Sequence, residues 1–201
     1  MSAFLGPIHY WLYQKIQIQQ KIIEEIINSG EVLMPQLRNE LDERYGESET
    51  RPLEEVIDQD NIHGWLQQRV AQVEYKLAYS VAELINRDPD IYRDLELIFE
   101  EKGNELSWKT DNAAEAYKGI GDSLLDGMPC DHANTLLQES EDKVIWKRNH
   151  CVHKDYWEEA GGDMNLYYSL REAFIRGFLK DSPLAYEKMD EITHMIKRRS
   201  V

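Results

Sequence analysis

The chain holds 201 residues, 38 of them Asp or Glu against 23 Lys or Arg, for a net charge of −15. So acidic a chain repels polyanions, which argues against nucleic acid and anionic membrane surfaces as general partners. With 42% hydrophobic residues, 6 Pro and 11 Gly it has the make-up of one folded domain, and no apolar run approaches the ~20 residues of a membrane span.

Met1 to Ile8 carries no basic stretch ahead of an apolar one, so no secretory leader is expected and a cytoplasmic setting follows. The two cysteines, Cys130 and Cys151, are then expected in a reducing compartment.

From Gly6 onward Ile8, Trp11, Leu12, Ile16, Ile22, Ile23, Ile26 and Ile27 recur at helical spacing, with Gly30 as a stop. A second helical segment carries Val32, Leu33, Leu37 and Leu41 and ends at Gly46. After a polar connection over 47–52, a long segment to about Asn86 sets Leu66, Val70, Val73, Leu77, Val81 and Leu84 on one seam. Asp88-Pro89 interrupts it, and Ile91 to Lys102 predicts a fourth helix stopped by Gly103.

Inside this half the segment Ile8-His9-Tyr10-Trp11-Leu12-Tyr13-Gln14-Lys15-Ile16 aligns without a gap on Ile62-His63-Gly64-Trp65-Leu66-Gln67-Gln68-Arg69-Val70. The match predicts two related helical hairpins, 1–53 and 54–103, packed as a pseudo-two-fold bundle. For His9, Trp11, His63 and Trp65 the plain reading is packing, with the imidazole as a cap or backbone partner. The functional reading is a cofactor site in which His9 and His63 face each other and hold a metal or haem iron. A third is a ligand pocket walled by the two tryptophans.

The second half opens with a short helix over Ala113 to Leu125. Thr135, Val144, Ile145 and Trp146 are strand formers on either side of the turn Glu139 to Asp142, predicting one small β-hairpin. With Gln138 opposite Lys143, that hairpin places Cys130 opposite Cys151, and His132 and His153 on the cysteines' face. Two Cys-x-His units are zinc-ligand types. In a flat hairpin the two histidines lie ~13 Å apart at ~3.3 Å per residue, so three ligands and one open position fit better than four. Buried small hydrophobes, a redox pair, or a thiolate activated by His150 or His153 are the competing readings.

Helices are expected over Asp155 to Glu159 and from Asp163 through Lys180. A final helix is expected from Ser182-Pro183 to Lys197-Arg198-Arg199. Asp60-x-x-His63 and Glu191-x-x-His194 lack the setting of a di-iron site and are read as solvated faces.

The fold expectation is therefore mainly α: one domain, 1–201, with the two helical hairpins followed by a small β-hairpin and C-terminal helices over 104–201. The function expected is a metal- or cofactor-binding protein, such as a sensor, with a site at Cys130, His132, Cys151 and His153. Zinc is the favoured ion, and haem comes second. The alternatives are a small-molecule enzyme using a thiolate or metal-bound water, and a homodimeric interaction module with no site.

Overall fold

The computed structural model describes residues 5–199, so half of the leader reading of Met1 to Ile8 lies outside the described residues. The protein is mainly helical, with one four-stranded antiparallel sheet. No described helix is long and apolar enough to cross a membrane.

Helix α1 (Pro7–Ser29) begins with Pro at its first position, where the missing N–H costs nothing. His9 closes the start: its Nδ1 accepts the Gly6 N–H at 2.9 Å. A loop and α2 (Leu37–Tyr45) follow, then a single turn, α3 (Leu53–Val56), and the long α4 (Ile62–Arg87). Asn61 caps α4 by accepting the Gly64 N–H. All six residues of the α4 seam are buried. Each contributes roughly 1.5–3 kcal/mol of transfer free energy as α4 packs on α1.

A 3-10 turn at Pro89–Ile91 leads into α5 (Tyr92–Leu106). Gly103 does not stop this helix. It lies inside it, where α5 crosses α8 (Met164–Phe178) backbone against backbone. A Cβ on Gly103 would fall 2.0 Å from the Phe174 carbonyl oxygen, and one on Gly177 would fall 1.9 Å from that of Glu100. Both positions admit only glycine at this distance.

Helix α6 (Ala113–Ser123) is capped by Asn112, and α8 by Asp163, whose side chain accepts the Asn165 N–H at 2.8 Å. A short α7 (Lys154–Glu159) runs just before α8. The predicted β-hairpin forms as β1 (Asn134–Glu139) and β2 (Lys143–Arg148).

The expected final helix does not form. Residues 184–198 make a second hairpin, β3 (Leu184–Lys188) and β4 (Thr193–Arg198), closed by Asp190, whose carboxylate accepts the N–H groups of Ile192 and Thr193. The strand order is β1-β2-β4-β3. Val144 pairs with Ile196 and Trp146 with His194, and these four side chains are buried beneath the helices. Period-two alternation in Leu184, Tyr186, His194 and Ile196 overrides the helix-start signal of Ser182-Pro183.

The register of the first hairpin also differs from expectation. Ser140 pairs with Lys143, giving a tighter turn, and a bulge at Leu137 leaves Leu136 opposite Trp146 and Asn134 opposite Arg148. The ladder ends there, so neither cysteine lies on it.

Candidate functional site

The principal opening is a cleft of about 290 Å³ between α1 and α6 on one side and β2 with the loop 126–134 on the other. Its walls are aromatic: Trp11 from α1, Tyr117 from α6, and Trp146 from β2. Tyr117 and Trp146 stand 5.0 Å apart between ring centroids. Trp11 is fixed by its indole N–H, which donates to Asp122 Oδ1 at 2.8 Å.

Lys15 lies one helical turn beyond Trp11, on the inner stripe of α1. It is 3% exposed as a residue, and its Nζ sits 4.2 Å from the Trp11 ring centroid. It makes no ion pair among the described residues. Burial disfavours the charged amine; the fields of Asp126 and Asp122 offset this only partly, and the pKa is pushed down to about 8.

The floor is a charged network shared by α4, α8 and the residues around β1. Arg171 donates to Asp126 Oδ2 at 2.8 Å and to the Tyr167 hydroxyl at 3.3 Å. His153 is 2% exposed. Its Nδ1 bonds Glu74 Oε2 at 2.9 Å, and its Nε2 lies 2.8 Å from the Tyr167 hydroxyl and 3.6 Å from Asp126 Oδ1. Burial alone would lower the His153 pKa, but Glu74 and Asp126 outweigh it and raise it to about 9. Burial would raise that of Asp126, but Arg171 and His153 hold it well below the usual carboxylate range.

With His153 protonated, the cluster sets three cations (Lys15, Arg171 and His153) against two carboxylates (Glu74 and Asp126). Of the three cations only Lys15 has no carboxylate within ion-pair distance among the described residues; Asp122, whose field also reaches it, is paired with Lys118.

Behind Asp126 and Arg171 a recess of about 30 Å³ reaches Tyr168, Tyr186 and His194, room for about one water. His194 Nδ1 accepts the Tyr186 hydroxyl at 2.8 Å. Burial, then Arg148 and Arg171, push its pKa down to about 4. It is a buried wall of the site, not part of a solvated face. No protein-family model matches this chain, and neither a curated protein nor a solved structure shows significant similarity to it.

The four residues expected at a hairpin metal site sit in different settings. Cys130 is exposed in a 3-10 turn over Pro129–Asp131. His132 follows in the left-handed region at the rim of the cleft. Cys151 is half-buried beside the Tyr168 hydroxyl, and His153 is engaged by Glu74 and Tyr167. Both cysteines are free. Among the described residues no group of three or more His, Cys, Asp or Glu side chains is placed to hold a metal ion.

The repeat histidines do meet, edge to face, with centroids 5.7 Å apart. They line an apolar cavity of about 110 Å³ with Cys130, and His9 is buried as the α1 cap while His63 is exposed. The two tryptophans have different neighbours. Trp11 faces the cleft, whereas Trp65 packs on Tyr13 with centroids 5.9 Å apart. In both segments, however, the basic residue four positions on covers the indole: Lys15 over Trp11, and Arg69 over Trp65 at 5.5 Å.

Sequence reasoning assigns no site role to Lys15, Glu74, Asp126, Trp146, Tyr167 or Arg171, and reads His194 as part of a solvated face. Lys15 leaves a local trace, a charged residue on the buried stripe of α1.

Proposed function

We propose that this protein binds a small organic anion with a planar, unsaturated body, taken into the cleft with its carboxylate or phosphate on Lys15 and its ring among Trp11, Tyr117 and Trp146. The observation that carries this reading is the uncompensated cation. Lys15 is 3% exposed as a residue and its amine makes no ion pair among the described residues; such a charge is costly to bury, and an incoming anion supplies the missing partner. The Arg171–Asp126 pair beneath it is already neutral in sum and serves as a rigid polar floor. At about 290 Å³ the cleft is near the ~300 Å³ lower end of ordinary ligand pockets, which favours a compound of one ring.

The duplicated Trp-x-x-x-Lys/Arg element fits this proposal. In the first copy the pair opens on the cleft, and in the second Trp65 and Arg69 pack beside Tyr13, away from the cleft's lining. We read the two Trp-x-x-x-Lys/Arg segments as a duplication in which only one copy keeps the ligand face.

Titration with benzoate and with phenylphosphate, followed by tryptophan fluorescence, tests the reading directly. Saturable quenching is expected, lost in Lys15→Met and retained in Lys15→Arg, and weakening as pH rises through 8. Binding of equal strength in wild type and Lys15→Met would overturn it.

A further inference from the structure

The geometry points to Lys15 as an amine that forms an imine with the carbonyl of an aromatic or conjugated oxo acid or carboxylated aldehyde bound in the cleft. This rests on the anion-binding reading and names the reactive group of its ligand.

Four features of the site bear on it. Lys15 is the only lysine among the cleft's residues shielded from solvent, since Lys118, the other, is exposed and paired with Asp122. Its Nζ makes no ion pair among the described residues, and burial outweighs the fields of Asp126 and Asp122, so a neutral amine is accessible near neutral pH. The Trp11 face 4.2 Å away receives either an ammonium or an iminium ion, so a product protonated at nitrogen keeps the same support. Arg171, which lines the cleft while paired with Asp126, supplies N–H groups toward which a carboxylate on the carbonyl compound can turn.

The step needs nothing from outside the two partners. The nitrogen lone pair attacks the carbonyl carbon, forming the N–C bond, and the C=O π pair moves to oxygen. One N–H proton passes to that oxygen through cleft water, giving the carbinolamine. The hydroxyl then leaves with the second N–H proton as water while the nitrogen pair closes C=N. No oxidant or reductant is consumed.

At pH 7.5 an amine with a pKa near 8 is roughly a hundredfold richer in the neutral form than an exposed lysine near 10.4. The test is reductive trapping of the wild-type protein at that pH with 4-carboxybenzaldehyde and sodium cyanoborohydride, mapped by peptide mass spectrometry. Lys15 is expected to carry the adduct at least ~10-fold faster than exposed Lys21 or Lys147. The labelling should rise with pH to a half-point near 8 and be slowed by 4-methylbenzoate, which binds but has no carbonyl. Labelling of Lys15 no faster than of Lys21 would overturn the proposal. In that outcome, continued quenching by 4-methylbenzoate leaves the anion-binding reading standing, whereas its absence removes both. Because the readout is site occupancy in the unaltered protein, it does not depend on any variant folding.

Discussion

At the scale of single residues, three buried groups set opposite slopes on stability. The His153 pKa is raised from 6.5 to about 9 by Glu74 and Asp126, so its contribution is complete below pH 6.5 and is lost as pH rises through 9. His194 moves the other way, from 6.5 to about 4; its cost appears as pH falls below 6.5, when the unfolded chain takes up the proton first. Lys15, lowered from 10.5 to about 8, penalises the fold fully below pH 8 and less above it. Melting temperature should therefore peak near pH 6.5, decline toward 8 and level off beyond. Glu74→Gln should shrink that decline and cost ~3 kcal/mol, because it removes the larger of the two carboxylate fields on the buried imidazolium and leaves only Asp126 at 3.6 Å. Circular dichroism melts across pH 4–9 give the comparison, and a melting temperature that climbs between 6.5 and 8 would show that the His153–Glu74 pair is not charged.

Among the elements, the α5–α8 crossing tolerates least. Alanine is normally the better helix former by ~0.5–1 kcal/mol, yet Gly103→Ala or Gly177→Ala brings a methyl onto a carbonyl of the facing helix. Each should destabilise by ~2–3 kcal/mol or more, read from urea midpoints at unchanged slope; a stabilised Gly177→Ala would mean the helices lie farther apart. The same pair shows how the sequence speaks and where it is silent. Stripes such as that of α4 are legible because a helix repeats its burial every turn. Gly103 was misread as a stop because a close crossing and a cap call for the same residue. Leu184 to Arg198 carries apolar residues that suit either period, and the Asp190 turn that decides the matter is three residues long. The cleft was illegible for a further reason: Lys15, Asp126, Trp146 and Arg171 come from four separate stretches and share no local pattern.

For the molecule as a whole, the sheet order has a consequence in time. β4 lies between β2 and β3, so β2 has no partner on that side until residues 193–198 exist. At ~5–20 residues per second a ribosome needs roughly 3–10 s to extend the chain from β2 to the end of β4. Over that interval Val144-Ile145-Trp146 presents a bare strand edge. Lys143 and Lys147 bracket it, and Lys147 is exposed in the finished sheet, so its charge is spare once folding is over. Lys147→Val should accordingly leave the melting temperature nearly unchanged while raising the aggregated fraction on rapid refolding, measured by light scattering; equal scattering from both proteins would remove this role. If scattering rises as expected, that lysine serves the unfinished sheet and not the native state.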